Sequence, residues 1–133
     1  LLFTDGVGSK GFQTVTDHSL EKEKQMPTTT IQVNGDGTLT PISTPGWLDW
    51  DGQCEFVVKA KGTYNLQFTA PDSLTFNNFR WVTQGGLTYT SATGSTFVIT
   101  DPVASKDSLG GVFLVDLSDG TVVDPSVANL PPE

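Results

Sequence analysis

Between Gln53 and Lys61 the apolar side chains fall on every second residue: Cys54, Phe56, Val58 and Ala60 on one side, Glu55, Lys59 and Lys61 on the other. A period of two is that of a strand with one buried face. This phase places the Cys54 thiol in the core, where it behaves as a small hydrophobe. Lys61-Gly62 reads as a turn. Tyr64, Leu66 and Phe68 then alternate with Asn65 and Gln67, so a second strand is expected to return on the first as a hairpin. Ala70-Pro71-Asp72-Ser73 ends it with turn chemistry.

The same reading extends along the chain. Thr28–Val33 and Thr38–Ile42 flank Asn34-Gly35-Asp36-Gly37, whose Asn-Gly and Asp-Gly steps tolerate the positive φ of tight hairpins. Phe76, Phe79 and Trp81 predict an extended stretch. Phe76 and Phe79 are out of phase, so a bulge is expected at Asn77-Asn78. Leu87–Thr90 and Thr96–Thr100 predict two more strands separated by Ser91–Ser95. Val112–Leu117 is apolar on both faces, as a central strand is, and Asp119-Gly120 turns it into Thr121–Val123. Gly85-Gly86 reads as a turn and Gly110-Gly111 as the start of a strand or a bulge. Only Asp17–Met26 has a helical composition; it reads as a short helix or a solvated loop, stopped by Pro27. Turn signals every 8–12 residues belong to a sandwich or barrel.

Composition narrows the function classes. The chain has 133 residues, the size of one domain, and 36% hydrophobic residues, enough for a core. Seven basic residues against fifteen acidic ones, a net charge of −8, argue against nucleic acid and anionic membranes as partners. No apolar run approaches the roughly 18 residues of a membrane helix. Leu1 stands where a start Met would, so a processed or trimmed chain is expected. One Cys and one His exclude a disulfide framework and multi-Cys or multi-His metal sites. No cofactor is expected.

Candidate chemistry is sparse. His18, beside Asp17, is the single imidazole; no Gly-x-Ser-x-Gly elbow accompanies it, and an exposed loop residue is expected. Asp5-Gly6-Val7-Gly8-Ser9, Asn34-Gly35-Asp36-Gly37, Asp49-Trp50-Asp51-Gly52 and Asp116-Leu117-Ser118-Asp119-Gly120 resemble fragments of calcium loops. None completes the ligand order of the twelve-residue loop, and Asp-Gly is ordinary turn chemistry, so no metal site is assigned. No catalytic residue is assigned either. The richest segment is Gly46-Trp47-Leu48-Asp49-Trp50-Asp51-Gly52. Aromatic rings stack on sugars and carboxylates accept hydroxyl hydrogen bonds, which makes Trp47, Asp49, Trp50 and Asp51 candidate ligand-binding residues, with Trp81 and Tyr89 as further platforms. Against this, Trp47 and Trp50 are three apart and share no face of a regular strand, and large aromatics usually pack in sandwich cores.

Val112-Phe113-Leu114-Val115-Asp116-Leu117-Ser118-Asp119-Gly120, followed by Val123-Asp124-Pro125-Ser126-Val127-Ala128-Asn129-Leu130-Pro131-Pro132-Glu133, resembles the DP-EP family of small bacterial proteins. The likeness covers roughly residues 28–133 and is carried by a short motif. It implies an immunoglobulin- or cupredoxin-like sandwich of unassigned function. The copper site of cupredoxins is not implied, because a blue-copper centre needs two His with its Cys.

The expectation is therefore an all-β, mostly antiparallel immunoglobulin- or cupredoxin-like sandwich of about seven to nine strands over residues 28–133. Residues 1–27 are expected to form an arm or edge segment. The Pro-rich tail is expected to cover a sheet edge, anchored by Val127 and Leu130. The function expected is non-catalytic binding or assembly, with a protein partner or self-association. A virion or fibre subunit and a glycan-binding module are the alternatives.

Overall fold

The structure, a computed structural model, describes residues 26–132. The readings that fall on residues 1–25, including His18, the Asp5 loop, the helix or loop at Asp17–Met26 and most of the arm, lie outside the described residues, apart from Met26 and Pro27. Among the described residues there is no helix.

Eleven strands follow one another: β1 (Thr28–Val33), β2 (Leu39–Pro41), β3 (Leu48–Trp50), β4 (Glu55–Val58), β5 (Gly62–Thr69), β6 (Phe76–Thr83), β7 (Thr88–Thr93), β8 (Thr96–Val103), β9 (Gly111–Leu117), β10 (Val122–Val123) and β11 (Ser126–Asn129). The first sheet runs β2-β1-β5-β8-β7. In the second, β9 carries β6 on one flank and both β10 and β11 on the other, and β11 leads on to β4 and β3. Two pairs are parallel, β1 with β5 and β11 with β4; the others are antiparallel. The fold is an all-β sandwich of two mixed sheets. The strand count exceeds seven to nine because β3 lies in the Trp-rich segment and β11 in the Pro-bounded tail, and neither segment is read as a strand from its sequence.

Alternation builds the core. Ile31 and Val33 of β1, Leu66 and Phe68 of β5, and Phe97 and Ile99 of β8 point inward from the first sheet. Phe56 and Val58 of β4 and Phe113, Val115 and Leu117 of β9 meet them from the second. Phe68 stacks on Phe97 at 4.9 Å and meets the edges of Phe113 at 5.6 Å and Phe56 at 6.3 Å. These rings bridge the sheets, and each such pair adds about 0.5–1.5 kcal/mol to the burial itself.

Three expectations are corrected. The strands at Glu55–Val58 and Gly62–Thr69 exist, but they form no hairpin: β4 belongs to the second sheet and β5 to the first. Lys61-Gly62 carries the chain across the sandwich. The Tyr64 hydroxyl, donating to Lys61 O at 2.8 Å, and the Trp47 ring, stacked on Tyr64 at 4.3 Å, pin that crossing. Cys54 is exposed, not core. Asp51 Oδ1 accepts from Gln53 N at 2.8 Å and Glu55 N at 3.1 Å, so residues 52–54 bend and the alternation begins only at Glu55. The tail does not cover an edge. Ser126–Asn129 carries free backbone donors between Pro125 and Pro131, and it lies inside the sheet between β9 and β4. Val127 is buried as expected, whereas Leu130 is 70% exposed and Pro131 is the buried residue after it.

Two further local features follow the sequence, whereas β7 runs on to Thr93, into the residues read as the connection Ser91–Ser95. The β1–β2 hairpin turns at Asn34–Gly37, with Gly37 at φ 89° and Asp36 Oδ1 accepting from Thr38 N at 3.0 Å. The bulge in β6 falls between Asn77 and Arg80, with Asn78 at φ 54°.

Candidate functional site

A two-layer sandwich has two open sides, each bounded by one outer strand of each sheet. The sequence candidates divide between them. Trp47, Asp49, Trp50 and Asp51 lie on or next to β3, at one margin of the second sheet. There Trp47 is held against Tyr64. Trp50 stacks over Phe56 at 6.5 Å and donates its indole N–H to Gln53 O at 3.1 Å. Asp49 pairs with Lys59 at 3.0 Å, and Asp51 is occupied by the backbone of its own turn. Both rings are half-buried against the core, and the carboxylates build local structure. This segment forms no common platform.

Trp81 and Tyr89 are brought together on the other side. The register sets Trp81 opposite Phe113 and Tyr89 opposite Ile99, so both point inward from outer strands, β6 and β7, that face each other across the opening. Phe79 links them. Its ring stacks on Tyr89 at 3.9 Å and meets Trp81 edge-on at 5.0 Å, with Phe113 stacked behind at 5.2 Å. The three rings close the opening without filling it: Phe79 and Trp81 are half-buried and Tyr89 is 37% exposed. Beside them Val82 is 59% exposed. Asn77, Asn78, Thr88 and Thr90 are exposed on the same two strands; Thr88 and Thr90 alternate with Tyr89, and the Asn78 amide is bonded to Asp116. Phe79 and Val82 do not stand out as site residues in the sequence. A signal was present in the charge pattern: no Asp, Glu, Lys or Arg occurs from Trp81 to Thr100, in a chain of net charge −8.

The charged groups near this side are engaged with each other. Arg80 Nη1 lies 3.1 Å from Asp116 Oδ1, and Asn78 Nδ2 donates to Asp116 Oδ2 at 3.1 Å. The Asn78 and Arg80 bonds hold the Asp116 carboxyl below its ordinary pKa. Thr38 does the same for Asp36, and the Thr121 backbone for Asp119. These carboxylates shape turns and strand margins. Among the described residues no three His, Cys, Asp or Glu side chains gather as metal ligands.

Two other places have the form of a site. An open groove of about 630 Å³ runs along the 106–111 loop and β11, lined by residues that include Glu55, Lys106, Asp107 and Ser126. At its margin stands the one charged side chain buried in the core among the described residues, Asp101 on β8, 0% exposed. Its Oδ1 accepts from Asn129 Nδ2 at 3.0 Å, joining the two sheets, and the same Nδ2 reaches Ser108 O at 3.3 Å. Asp101 Oδ2 and Asn129 Oδ1 have no partner. Burial raises the Asp101 pKa, and the Asn129 bond opposes the rise. The Cys54 thiol is also raised, by desolvation first and then by Asp124, Asp51 and Glu55, so it is a poor nucleophile.

No family model and no curated protein matches the chain. Among solved structures, the ZIG-8 IG1 homodimer is similar at a TM-score of 0.39 and 14% identity, over 68% of this chain and 85% of that one. An endo-fucoidan hydrolase of glycoside hydrolase family 107 is similar at a TM-score of 0.37 and 12% identity, over 96% of this chain but 16% of the hydrolase. At these scores the likenesses carry no argument about this chain; the sandwich rests on its own strand order.

Proposed function

We propose that the protein is a non-catalytic β-sandwich module for binding or assembly, and that it binds through the open side between β6 and β7. One observation carries this reading: Phe79, Trp81 and Tyr89 converge at an opening where they stay partly exposed, and from Trp81 to Thr100 the chain holds no charged residue. Aromatic rings offer large contact area at small entropic cost and dominate recognition surfaces. The side chains that meet there are aromatic rings, suited to recognition rather than turnover. The DP-EP resemblance, which brings no activity with it, is compatible with this role.

A glycan is the second reading. It is favoured by the partly exposed rings of Phe79, Trp81 and Tyr89, since sugars stack on aromatics. The glycan platform at Trp47 and Trp50 is not favoured, because Trp47 is stacked on Tyr64 and the Trp50 indole N–H is already bonded.

Amide NMR of the full chain tests both readings, once through a dilution series and once with a panel of neutral soluble oligosaccharides. Shifts confined to β6 and β7 are expected, and Tyr89→Ala together with Val82→Ser should remove them. Oligosaccharide-induced shifts select the glycan, and dilution-dependent shifts select assembly. Shifts centred on Trp47 and Trp50, or no response in either series, would overturn the assignment of this side.

A further inference from the structure

Among the described residues five strands pair on one side only, and four of them are guarded against pairing with another strand; β10 is only two residues long. β2 is three residues long and ends in Pro41, which has no N–H to donate. β3 is also three residues long and carries Asp49, paired with Lys59. β6 is long, but it is interrupted by register shifts between Asn77 and Arg80 and between Trp81 and Thr83, has Asn78 at positive φ, and carries Arg80. Short strands, proline, charge and bulges are the means by which sheet margins avoid unwanted partners. β7 differs from all four. Its sequence Thr88-Tyr89-Thr90-Ser91-Ala92-Thr93 holds no charge and no proline, and its pairing with β8 is regular from Thr88 to Ser91. The one register shift, between Ser91 and Thr93, lies at its end. Among the described residues β7 pairs with β8 alone, so its other margin presents unpaired backbone N–H and C=O groups.

Those groups specify a β-strand as the occupant, and the charge distribution specifies which one. Two copies of a chain of net charge −8 repel each other over most of their surfaces. The uncharged run from Trp81 to Thr100 contains β7 whole and most of its neighbour β8, and there two copies meet without opposing carboxylates. We infer that β7 pairs antiparallel with β7 of a second copy across a two-fold axis, joining two five-stranded sheets into one of ten strands. Such an interface is self-complementary, as a two-fold requires. With the axis near the middle of the strand, Thr90 lies beside its own counterpart, and the rings at Tyr89 and Trp81 flank the joint. The inference rests on reading the β6–β7 side as the binding face, and it names that face's partner.

Light scattering and amide hydrogen exchange on the full chain over a concentration series test it. The expected result is a doubling of mass with concentration, accompanied by new protection of amides in Thr88–Thr93. Thr90→Lys places like charges opposite each other and should weaken the dimer by about fivefold or more, with the melting temperature of the monomer unchanged. Thr40→Lys, on β2, should leave it intact. A dimer that survives Thr90→Lys but is lost in Tyr89→Ala would overturn the strand pairing and retain the aromatic face. A dimer indifferent to both variants would overturn both readings. A monomer at every concentration overturns this inference, even where β7 amides are protected, because that protection would come from elsewhere in the chain; the aromatic face is then judged by the oligosaccharide titration alone.

Discussion

Replacing Asp101 with Asn tests the buried link between the two sheets. In the native pair one hydrogen bond, Asn129 Nδ2 to Asp101 Oδ1, is made, and two oxygens, Asp101 Oδ2 and Asn129 Oδ1, are left over. A proton on Oδ2 would turn one of these two leftover acceptors into a donor. Burial favours that protonated form, since it disfavours the charged one. The folded-state pKa therefore lies above the unfolded one. A group raised on folding contributes stability that is complete below its unfolded pKa and is lost as pH rises through its folded pKa. Within that window the native state holds the extra proton, and stability falls with pH by at most about 1.4 kcal/mol per pH unit. The amide introduced by Asp101→Asn would carry a permanent N–H donor in place of the titrating proton. The variant should then match the wild type at pH 4 to within the value of one hydrogen bond, about 0.5–1.5 kcal/mol, and exceed it once the pH has risen through the folded-state pKa of Asp101. Urea unfolding of both chains across this range measures the difference. Asp36, Asp116 and Asp119 have lowered pKa values, so their contributions are present above the unfolded pKa and are lost as pH falls through the folded one; they cancel between the two chains. A difference that stays flat from pH 4 to 8, or a variant less stable than the wild type at pH 8, would refute the reasoning.

Two further outcomes are expected. A Cβ on Gly110 would overlap the carbonyl oxygen of Val127, so Gly110→Ala should push β9 away from β11 and cost about 1–3 kcal/mol or more in thermal unfolding, whereas Gly46→Ala, with nothing within 4 Å, should be neutral or slightly stabilising. The Cys54 thiol, exposed but raised in pKa by desolvation and then by Asp124, Asp51 and Glu55, should react with a soluble disulfide reagent more slowly than free cysteine at pH 7.5, and Asp124→Asn should speed it; a rate equal to that of free cysteine would count against the assigned electrostatics.

What was legible in the sequence was local. The Asn34–Gly37 turn is written in residues that bond to one another, and the β6 bulge shows as two phenylalanines out of phase. Alternation disclosed the strands around Phe56 and Phe68 but not their sheets. A buried face looks the same whether its neighbour is beside it or across the core, so two strands that face each other read as a hairpin. Cys54 escapes the alternation because a single carboxylate, Asp51, captures two backbone N–H groups and holds residues 52–54 in a bend, so the strand starts at Glu55, two residues later than the pattern suggests. The two tryptophans three apart carried their own correction. Trp81 and Tyr89 were visible singly, but the ring between them, Phe79, was read only as a strand residue, because nothing in the spacing says that β6 and β7 face each other.

The position of β11 bears on how the molecule is made. Until Ser126–Asn129 has been synthesised, the second sheet consists of two unjoined parts, β3 with β4 and β6 with β9 and β10. A nascent chain leaving the ribosome can assemble the first sheet, but it has nothing to place between Glu55–Val58 and Gly111–Leu117. Closure of the sandwich thus waits until β11 has been made, and in the interval the raw margins of β4 and β9 are open to chaperones and to misassembly alike.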